Sequence, residues 1–391
     1  MKEVFIISAK RTPVGGLLGS LSHLSATQLG AIAIKEAYTH AGVDPETLDS
    51  VYMGNVLSAN LGQSPARQAA IFSGIPDKTD ATTINKVCAS GMKATAIGAQ
   101  QIQLGLEHIV VTGGMESMSN VPHYVNVRRG TKLGDLTMVD GMTKDGLWDV
   151  YKNFHMGSAA ELGVQKYKLS RKALDQYAIE SYQKAQNAAK NGKFKNEIAT
   201  ITVEQKNGSI VIDKDEDIDK IILEKVSKLK PVFEKDGNLT AANSSNLNDG
   251  AAALILASKE AVEKYNLKPL AKIVSYADAA QAPEWFTTSP ALAIPKALKQ
   301  ANLKLSDIHF FEINEAYASV ILSNQQILGL DLNKVNVYGG AVAIGHPIGA
   351  SGARILTTLI SVLKQESGKY GMAAICNGGG GASAMIIENL D

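Results

Sequence analysis

Two cysteines, Cys88 and Cys376, are the only thiols in 391 residues, and both stand among small residues that suit reactive sulfur. Cys88 lies in Asn85-Lys86-Val87-Cys88-Ala89-Ser90-Gly91-Met92-Lys93-Ala94, after a strand-like Thr82-Thr83-Ile84 and before a small-residue run of helical character. That places it at a helix N-terminus, where unpaired N–H groups and the macrodipole stabilise an anion. A free thiol titrates near ~8.5, and such a position is expected to lower that value. Taken alone, the segment leaves two readings open: a nucleophile, or a small buried hydrophobe.

His346 lies in Gly345-His346-Pro347, just before a second small-residue helix that contains Ala350-Ser351-Gly352-Ala353-Arg354. The other histidines, at 23, 40, 108, 123, 155 and 309, offer no pair with metal-ligand spacing. An imidazole within reach of a thiol makes a nucleophile with its base. Cys376 precedes the run Asn377-Gly378-Gly379-Gly380-Gly381. Glycines after a strand expose N–H donors and let a ligand approach closely. Phosphate-loop and dinucleotide patterns are absent, so the run reads as an oxyanion-type donor site beside a thiol. Asn314 follows a strand-like Phe310-Phe311-Glu312-Ile313, at the end where α/β folds place their sites; a helix cap is the other reading.

The elements around these residues repeat. Ala41-Gly42-Val43 is echoed by Ala301-Asn302-Leu303 at an offset of 260, and Ala89-Ser90-Gly91 by Ala350-Ser351-Gly352 at 261. Thr112-Gly113-Gly114 is echoed by Asn377-Gly378-Gly379 at 265. The pattern predicts a duplicated unit, each half alternating helices with short strands on a mostly parallel sheet. Two such sheets sharing buried helices make a five-layer sandwich, and the facing halves bring the Cys88 and His346 loops together. Ala94-Thr95-Ala96-Ile97-Gly98-Ala99, small or apolar all round, fits a buried helix. Residues from about 119 to 248 break the repeat and read as an insertion. It holds a polar helix over 170–191 and a charged run, Asp213-Lys214-Asp215-Glu216-Asp217-Ile218-Asp219-Lys220, expected to be a solvated loop because it lacks calcium-loop spacing.

Composition narrows the function. The 39 Lys+Arg nearly balance 38 Asp+Glu, which argues against a nucleic-acid partner. No apolar run reaches membrane-spanning length. The first residues carry no leader pattern and the last no peroxisomal address, so a cytoplasmic home with free thiols is expected.

Together these segments resemble the thiolase family. The likeness covers essentially the whole chain and rests on the Cys88 segment, His155-Met156-Gly157, Asn248-Asp249-Gly250-Ala251-Ala252, Asn314-Glu315-Ala316, Gly345-His346-Pro347 and the Cys376 glycine run, in the family order. His155-Met156-Gly157 and the run from Cys376 to Ala382 are similar to the short-chain acetoacetyl-CoA type, including its potassium-activated mitochondrial members. Tyr317 departs from the pattern, since many thiolases have Phe there, and is expected to alter the acyl pocket. Gly381-Ala382 stand where many have Gln or Met followed by Gly, a departure shared with the potassium-activated subgroup.

The resemblance implies an α/β duplicated thiolase fold, a five-layered αβαβα sandwich with an inserted loop domain. Its parts are residues 1–118 with 249–268, an inserted 119–248 for CoA binding and tetramerisation, and 269–391. It implies an acyltransferase that reversibly condenses two acetyl-CoA to acetoacetyl-CoA and CoA through an acyl-Cys88 intermediate, with no required cofactor. His346 activates Cys88, and Asn314, through a water, completes one oxyanion hole. Cys376 moves the α-proton, and the N–H groups of Cys88 and Gly378 form the second hole. His155, Tyr182, Lys225 and Ser245 match positions lining the CoA site. Tyr182, Ala241, Ala242, Ser244 and Val342 match a potassium site, with Ser244 in place of an Ala. A homotetramer follows by analogy, with residues 121–140 as the assembling loop. Three alternatives remain: a broader-range 3-ketoacyl-CoA thiolase, a ketoacyl synthase, and a non-catalytic acyl-CoA binding protein; Cys376 argues against the last two.

Overall fold

A computed structural model describes residues 2–205 and 208–390. The duplication is visible in its strands. In the first half, β1 (Val4–Arg11), β2 (Ser50–Gly54), β3 (Asp80–Ile84), β4 (Ile109–Ser117) and β5 (Asn248–Ser258) form one part of a sheet. In the second, β6 (Ala271–Ala280), β7 (Phe310–Ile313), β8 (Tyr370–Asn377) and β9 (Gly381–Asn389) form the other. The strand order is β7-β8-β9-β6-β1-β5-β4-β2-β3. Either half reads parallel, antiparallel, antiparallel: β2/β4, β4/β5, β5/β1 against β7/β8, β8/β9, β9/β6, so the sheet is mixed and not mostly parallel as the sequence predicts. The halves join through only two residue pairs, Phe5↔Lys272 and Ile6↔Ala271, so the two expected sheets share one hydrogen-bonded edge. A register shift between Ile6 and Ser8 recurs between Ile273 and Ser275, where Ile6-Ile7-Ser8 is matched by Ile273-Val274-Ser275, a further mark of duplication.

Alternating side chains fill separate layers, as a period of two requires. Val111 and Ile255 pack outward against α1 (Ala26–Ala41), while Val110, Leu254 and Leu256 pack inward. The inward core holds two central helices, α2 (Ser90–Leu104) and α7 (Ile348–Gln365). The second half is covered by α5 (Pro290–Ala301) and α6 (Ala318–Leu328). The result is the expected five layers.

The central helices touch at a pair of glycines. A Cβ on Gly91 would sit 2.8 Å from the Ala353 nitrogen, and one on Gly352 would sit 2.4 Å from that of Met92. Any side chain at either position would force the helices apart. Gly91 and Gly352 are the two ends of the 261 offset, so the repeat itself brings the loops before both helices together. The insertion occupies the connection from β4 to β5, which in the second half is only the glycine turn between Asn377 and Gly381. It contributes α3 (Met156–Lys166) and α4 (Arg171–Lys190), the latter capped by Ser170 and ending at Asn191 as the sequence predicts.

Candidate active site

Cys88 sits on a strained turn. β3 ends at Ile84 and α2 begins at Ser90. Between them Val87 has φ +47°, where a β-branched residue is strained. Ser90 Oγ accepts from the Lys86 N–H at 2.8 Å and donates to the Val87 carbonyl at 2.5 Å, and Asn85 Oδ1 accepts from the Val87 N–H at 2.9 Å. The turn leaves Cys88 half-buried, with Ala89 and Ser90 fully covered behind it.

The N–H groups of Gly378 and of Cys88 itself are directed at Sγ, yet burial outweighs them and pushes the thiol up to about 11. This corrects the expectation of a lowered value. Two amides at the entry to α2 are engaged within the turn: Ala89 N–H donates to Lys86 O at 3.1 Å and Ser90 N–H to Val87 O at 3.0 Å. Glu116 nearby adds negative charge. A nucleophile at this position would rest as a neutral thiol and need a base.

His346 supplies one. Its Nδ1 lies 2.6 Å from Ser351 Oγ, and the single Ser351 proton goes to the Pro347 carbonyl at 2.9 Å. Ser351 must then accept from Nδ1–H, which assigns the lone pair to Nε2. That nitrogen faces Asn314 Nδ2 at 3.4 Å. Burial, with Arg354 behind it, drives the imidazole down to about 3, so it is neutral throughout the physiological range. Asn314 stands one residue beyond β7, as the sequence predicts, and caps no helix.

Cys376 is the penultimate residue of β8 and 1% exposed. Burial raises its thiol well above the ordinary range, and Cys88 lies close enough to raise it further. The turn that follows is left-handed at Gly379 and Gly380, both at φ +82°. A Cβ on Gly380 would meet the Gln281 carbonyl at 2.3 Å, so this position requires glycine. Cys88, His346 and Gly378 line one cavity of about 320 Å³, with His155, Met156, Phe233, Ser245, Phe286 and Tyr317 around it. Segments far apart in sequence thus bring a thiol, a neutral imidazole and N–H donors to one cavity, with the second thiol, Cys376, buried close to Cys88. Such a set can take up an acyl group on sulfur and move a proton at the neighbouring carbon.

Several anchors escaped sequence reading. Glu116, fully buried at the end of β4, accepts from Asn55 Nδ2 and the N–H groups of Val56, Leu57 and Gly349 at 2.8–3.1 Å. It ties the first half to the start of α7. Glu315 collects Tyr177 Oη, Ser181 Oγ, Asn336 Nδ2 and the Val342 N–H at 2.7–3.0 Å, fastening α4 to the loop before His346. Asn248 Oδ1 accepts from the His346 N–H at 2.9 Å, and its Nδ2 donates to Asp217 Oδ2 at 2.8 Å. The charged run is therefore not a solvated loop. Its middle residues Asp215, Asp217 and Ile218 are buried, and Asp215 pairs with the fully buried Arg11 at 2.6 Å. Buried charges persist only when paired, and the partners lie some 200 residues away, where no local pattern could reveal them.

Of the positions matched to a CoA site, His155 and Ser245 line the catalytic cavity. His155 caps α3, its Nδ1 accepting from the Gly157 N–H at 3.0 Å, and stacks on Phe233 at 5.0 Å. Tyr182 lies instead in an adjoining cavity of about 480 Å³ with Asp217, Lys220, Ala241 and Ala242. Ala241, Asn246 and Leu247 line both cavities. Lys225 is exposed on the turn Leu223–Lys228 and lines neither. Val342 packs in the core cluster that contains Tyr182, and Ser244 lines the catalytic cavity with a buried hydroxyl lacking a protein partner.

Comparison with known proteins extends this picture. The model of the thiolase N-terminal domain matches residues 4–260 and that of the thiolase C-terminal domain residues 267–389. The chain is 54% identical to Acetyl-CoA acetyltransferase 1 of Arabidopsis thaliana, across 99% of this chain and 94% of that one. It is 53% identical to the cytosolic Acetyl-CoA acetyltransferase ERG10 of Gibberella zeae, across 100% and 99%. Among solved structures, the Acat5 thiolase of Ascaris suum in complex with coenzyme A matches with a TM-score of 0.94 and 47% identity over the full length of both chains. Human mitochondrial 3-ketoacyl-CoA thiolase matches at 0.96 and 42%, over 99% of each.

Proposed function

The chain belongs to the thiolase family and is an acyltransferase, and from that premise we propose that it interconverts two acetyl-CoA with acetoacetyl-CoA and CoA. The observation that carries the reading is the convergence of Cys88, His346 and Gly378 on one cavity, with the buried Cys376 thiol close behind Cys88.

In the forward direction His346 Nε2 takes the Cys88 proton as Sγ attacks the thioester carbonyl. The bond to CoA sulfur breaks, and the leaving thiolate takes its proton from Cys376. The Cys376 thiolate then removes an α-proton from the second acetyl-CoA. N–H groups directed into the cavity hold the enolate oxygen, where one such donor contributes ~10²–10³ in rate. The α-carbon attacks acetyl-Cys88, the bond to Sγ breaks, and His346 returns the proton to Cys88. All four proton transfers close, so the cycle is reversible.

The remaining assignments belong to the same proposal. His155, Tyr182, Lys225 and Ser245 bind CoA. Potassium is held by Tyr182, Ala241, Ala242, Ser244 and Val342. The residues fit a hard cation: Tyr182, Ala241 and Ala242 meet at one cavity, oxygen donors suit such an ion, and the Ser244 hydroxyl is buried without a partner. The chain divides into 1–118 with 249–268, 119–248, and 269–391, and works as a homotetramer in the cytoplasm. Exposed Val125, Val127, Leu133 and Met138 in 121–140 support an assembly role for that loop. No helix among the described residues is long and apolar enough to cross a membrane, and one relative is named cytosolic.

The test is thiolysis of acetoacetyl-CoA and longer 3-ketoacyl-CoA, each with and without potassium, beside light scattering. Preference for the C4 substrate with potassium activation is expected. Turnover only with a malonyl-thioester would replace this reading with a ketoacyl synthase. A preference for long chains would favour the broader-range thiolase that the human mitochondrial neighbour brings to mind.

A further inference from the structure

Tyr317 carries a hydroxyl that the proposed cycle does not use. The residue follows Glu315-Ala316 and caps α6, and a backbone bridge to Ser244 fixes its place. Its ring is 8% exposed and held edge-on by Phe233 at 5.8 Å and by Phe286 at 6.3 Å. These contacts leave the ring little freedom to turn away. It lines the catalytic cavity, and its oxygen lies within electrostatic reach of the sulfurs of both Cys88 and Cys376. Among the described residues no protein group hydrogen-bonds that oxygen, unlike Tyr177, whose buried hydroxyl donates to Glu315 at 2.7 Å. The oxygen still opens on the cavity, and sealing a tyrosine hydroxyl away without a partner is costly.

We propose that the Tyr317 hydroxyl sets the acyl-group preference of this chain, an inference that rests on the thiolase reading of the same cavity. The sulfurs it faces are those of Cys88, which carries the acyl group in the proposed cycle, and of Cys376, which moves the α-proton. A small acetyl group leaves room for water to satisfy the phenol. An acyl group with a longer chain or a branch at its α-carbon displaces that water with hydrocarbon and buries the hydroxyl unpartnered. Tyr317 thus selects against larger acyl groups by desolvation as well as by volume, with Phe286 and Phe233 closing the apolar walls on either side. A phenylalanine at 317 would keep the ring and both edge contacts and remove only the polar atom.

The test compares the wild type with Tyr317→Phe in thiolysis of acetoacetyl-CoA, 2-methylacetoacetyl-CoA and 3-ketohexanoyl-CoA. The quantity read is the ratio of kcat/KM for each larger substrate to that for acetoacetyl-CoA. Tyr317→Phe is expected to raise both ratios about tenfold, the scale of one unpaired buried hydroxyl. A ratio that stays within about twofold, or a loss of rate shared equally by all three substrates, overturns the role given to Tyr317. The wild type in the same assay separates the two readings. If it cleaves none of the three, the thiolase assignment fails and takes this one with it. An active wild type with unchanged ratios sinks only the selectivity role.

Discussion

The hydroxyl of Ser351 lies 2.6 Å from Nδ1 of His346 and passes its own proton to the Pro347 carbonyl, so it fixes which imidazole nitrogen keeps a lone pair. Ser90, its counterpart in the first half, ties the Cys88 turn in the same way, donating to Val87 O. One small hydroxyl in each duplicated helix holds the chemistry-bearing residue of the loop before it.

Ser351→Ala is expected to leave the imidazole free to adopt the other tautomer. Acylation of Cys88 should slow by about tenfold to a hundredfold, part of the ~10²–10⁴ that a positioned base contributes. Single-turnover formation of the acyl-enzyme measures this. Ser351→Thr, which keeps the hydroxyl, should recover part of the rate. An acylation rate unchanged in Ser351→Ala would remove Ser351 from the positioning role.

Burial of His346 has a consequence for stability. Its folded-state value of about 3 lies below the ordinary 6.5. As pH falls below 6.5, the unfolded chain takes up a proton that the folded one refuses, so stability is lost toward pH 3. Glu116 acts in the opposite sense: its carboxyl is raised to about 7 by burial, and the folded state binds the extra proton between about 4.5 and 7. Comparing the wild type with His346→Asn cancels Glu116 and the other common groups. Between pH 7 and pH 5 the wild type should lose about 2 kcal/mol relative to the variant, by urea titration. Parallel pH profiles would mean that His346 titrates normally.

The ion pair of Arg11 with Asp215 offers a check on the insertion. Asp215→Ala leaves a fully buried guanidinium with Glu197 as its one remaining carboxylate at hydrogen-bond distance, 2.7 Å away. The expected loss is about 3–5 kcal/mol in unfolding free energy. A residue of a solvated loop would cost less than about 0.5 kcal/mol, and that result would contradict the packing described.

Much of this was legible in the residues. The strand before Asn314, the turn before Cys88 and the 20-residue helix after Ser170 have local signals, and the echoes at 260 and 261 locate equivalent helices. The Gly91–Gly352 contact follows once those helices are known to face each other. What could not be read depends on distant partners. Asp215 and Asp217 sit in a run with the composition of a surface loop, and partners outside it, Arg11 and Asn248 among them, draw them inward. The thiol of Cys88 looked activated by its helix, but two amides at the helix entry are engaged within the turn. Glu116 carries no motif; four donors from two other segments give it its place.

The central claim is that Cys88 accepts the acyl group and Cys376 handles the α-proton. Intact-protein mass spectrometry after mixing with acetyl-CoA tests it most directly, using the wild type, Cys88→Ser and Cys376→Ser, with acetoacetyl-CoA formation followed in parallel. The expected result is an acetyl adduct on wild type and on Cys376→Ser, none on Cys88→Ser, and condensation suppressed in both variants. An adduct on Cys88→Ser, or near-normal condensation by Cys376→Ser, would contradict it.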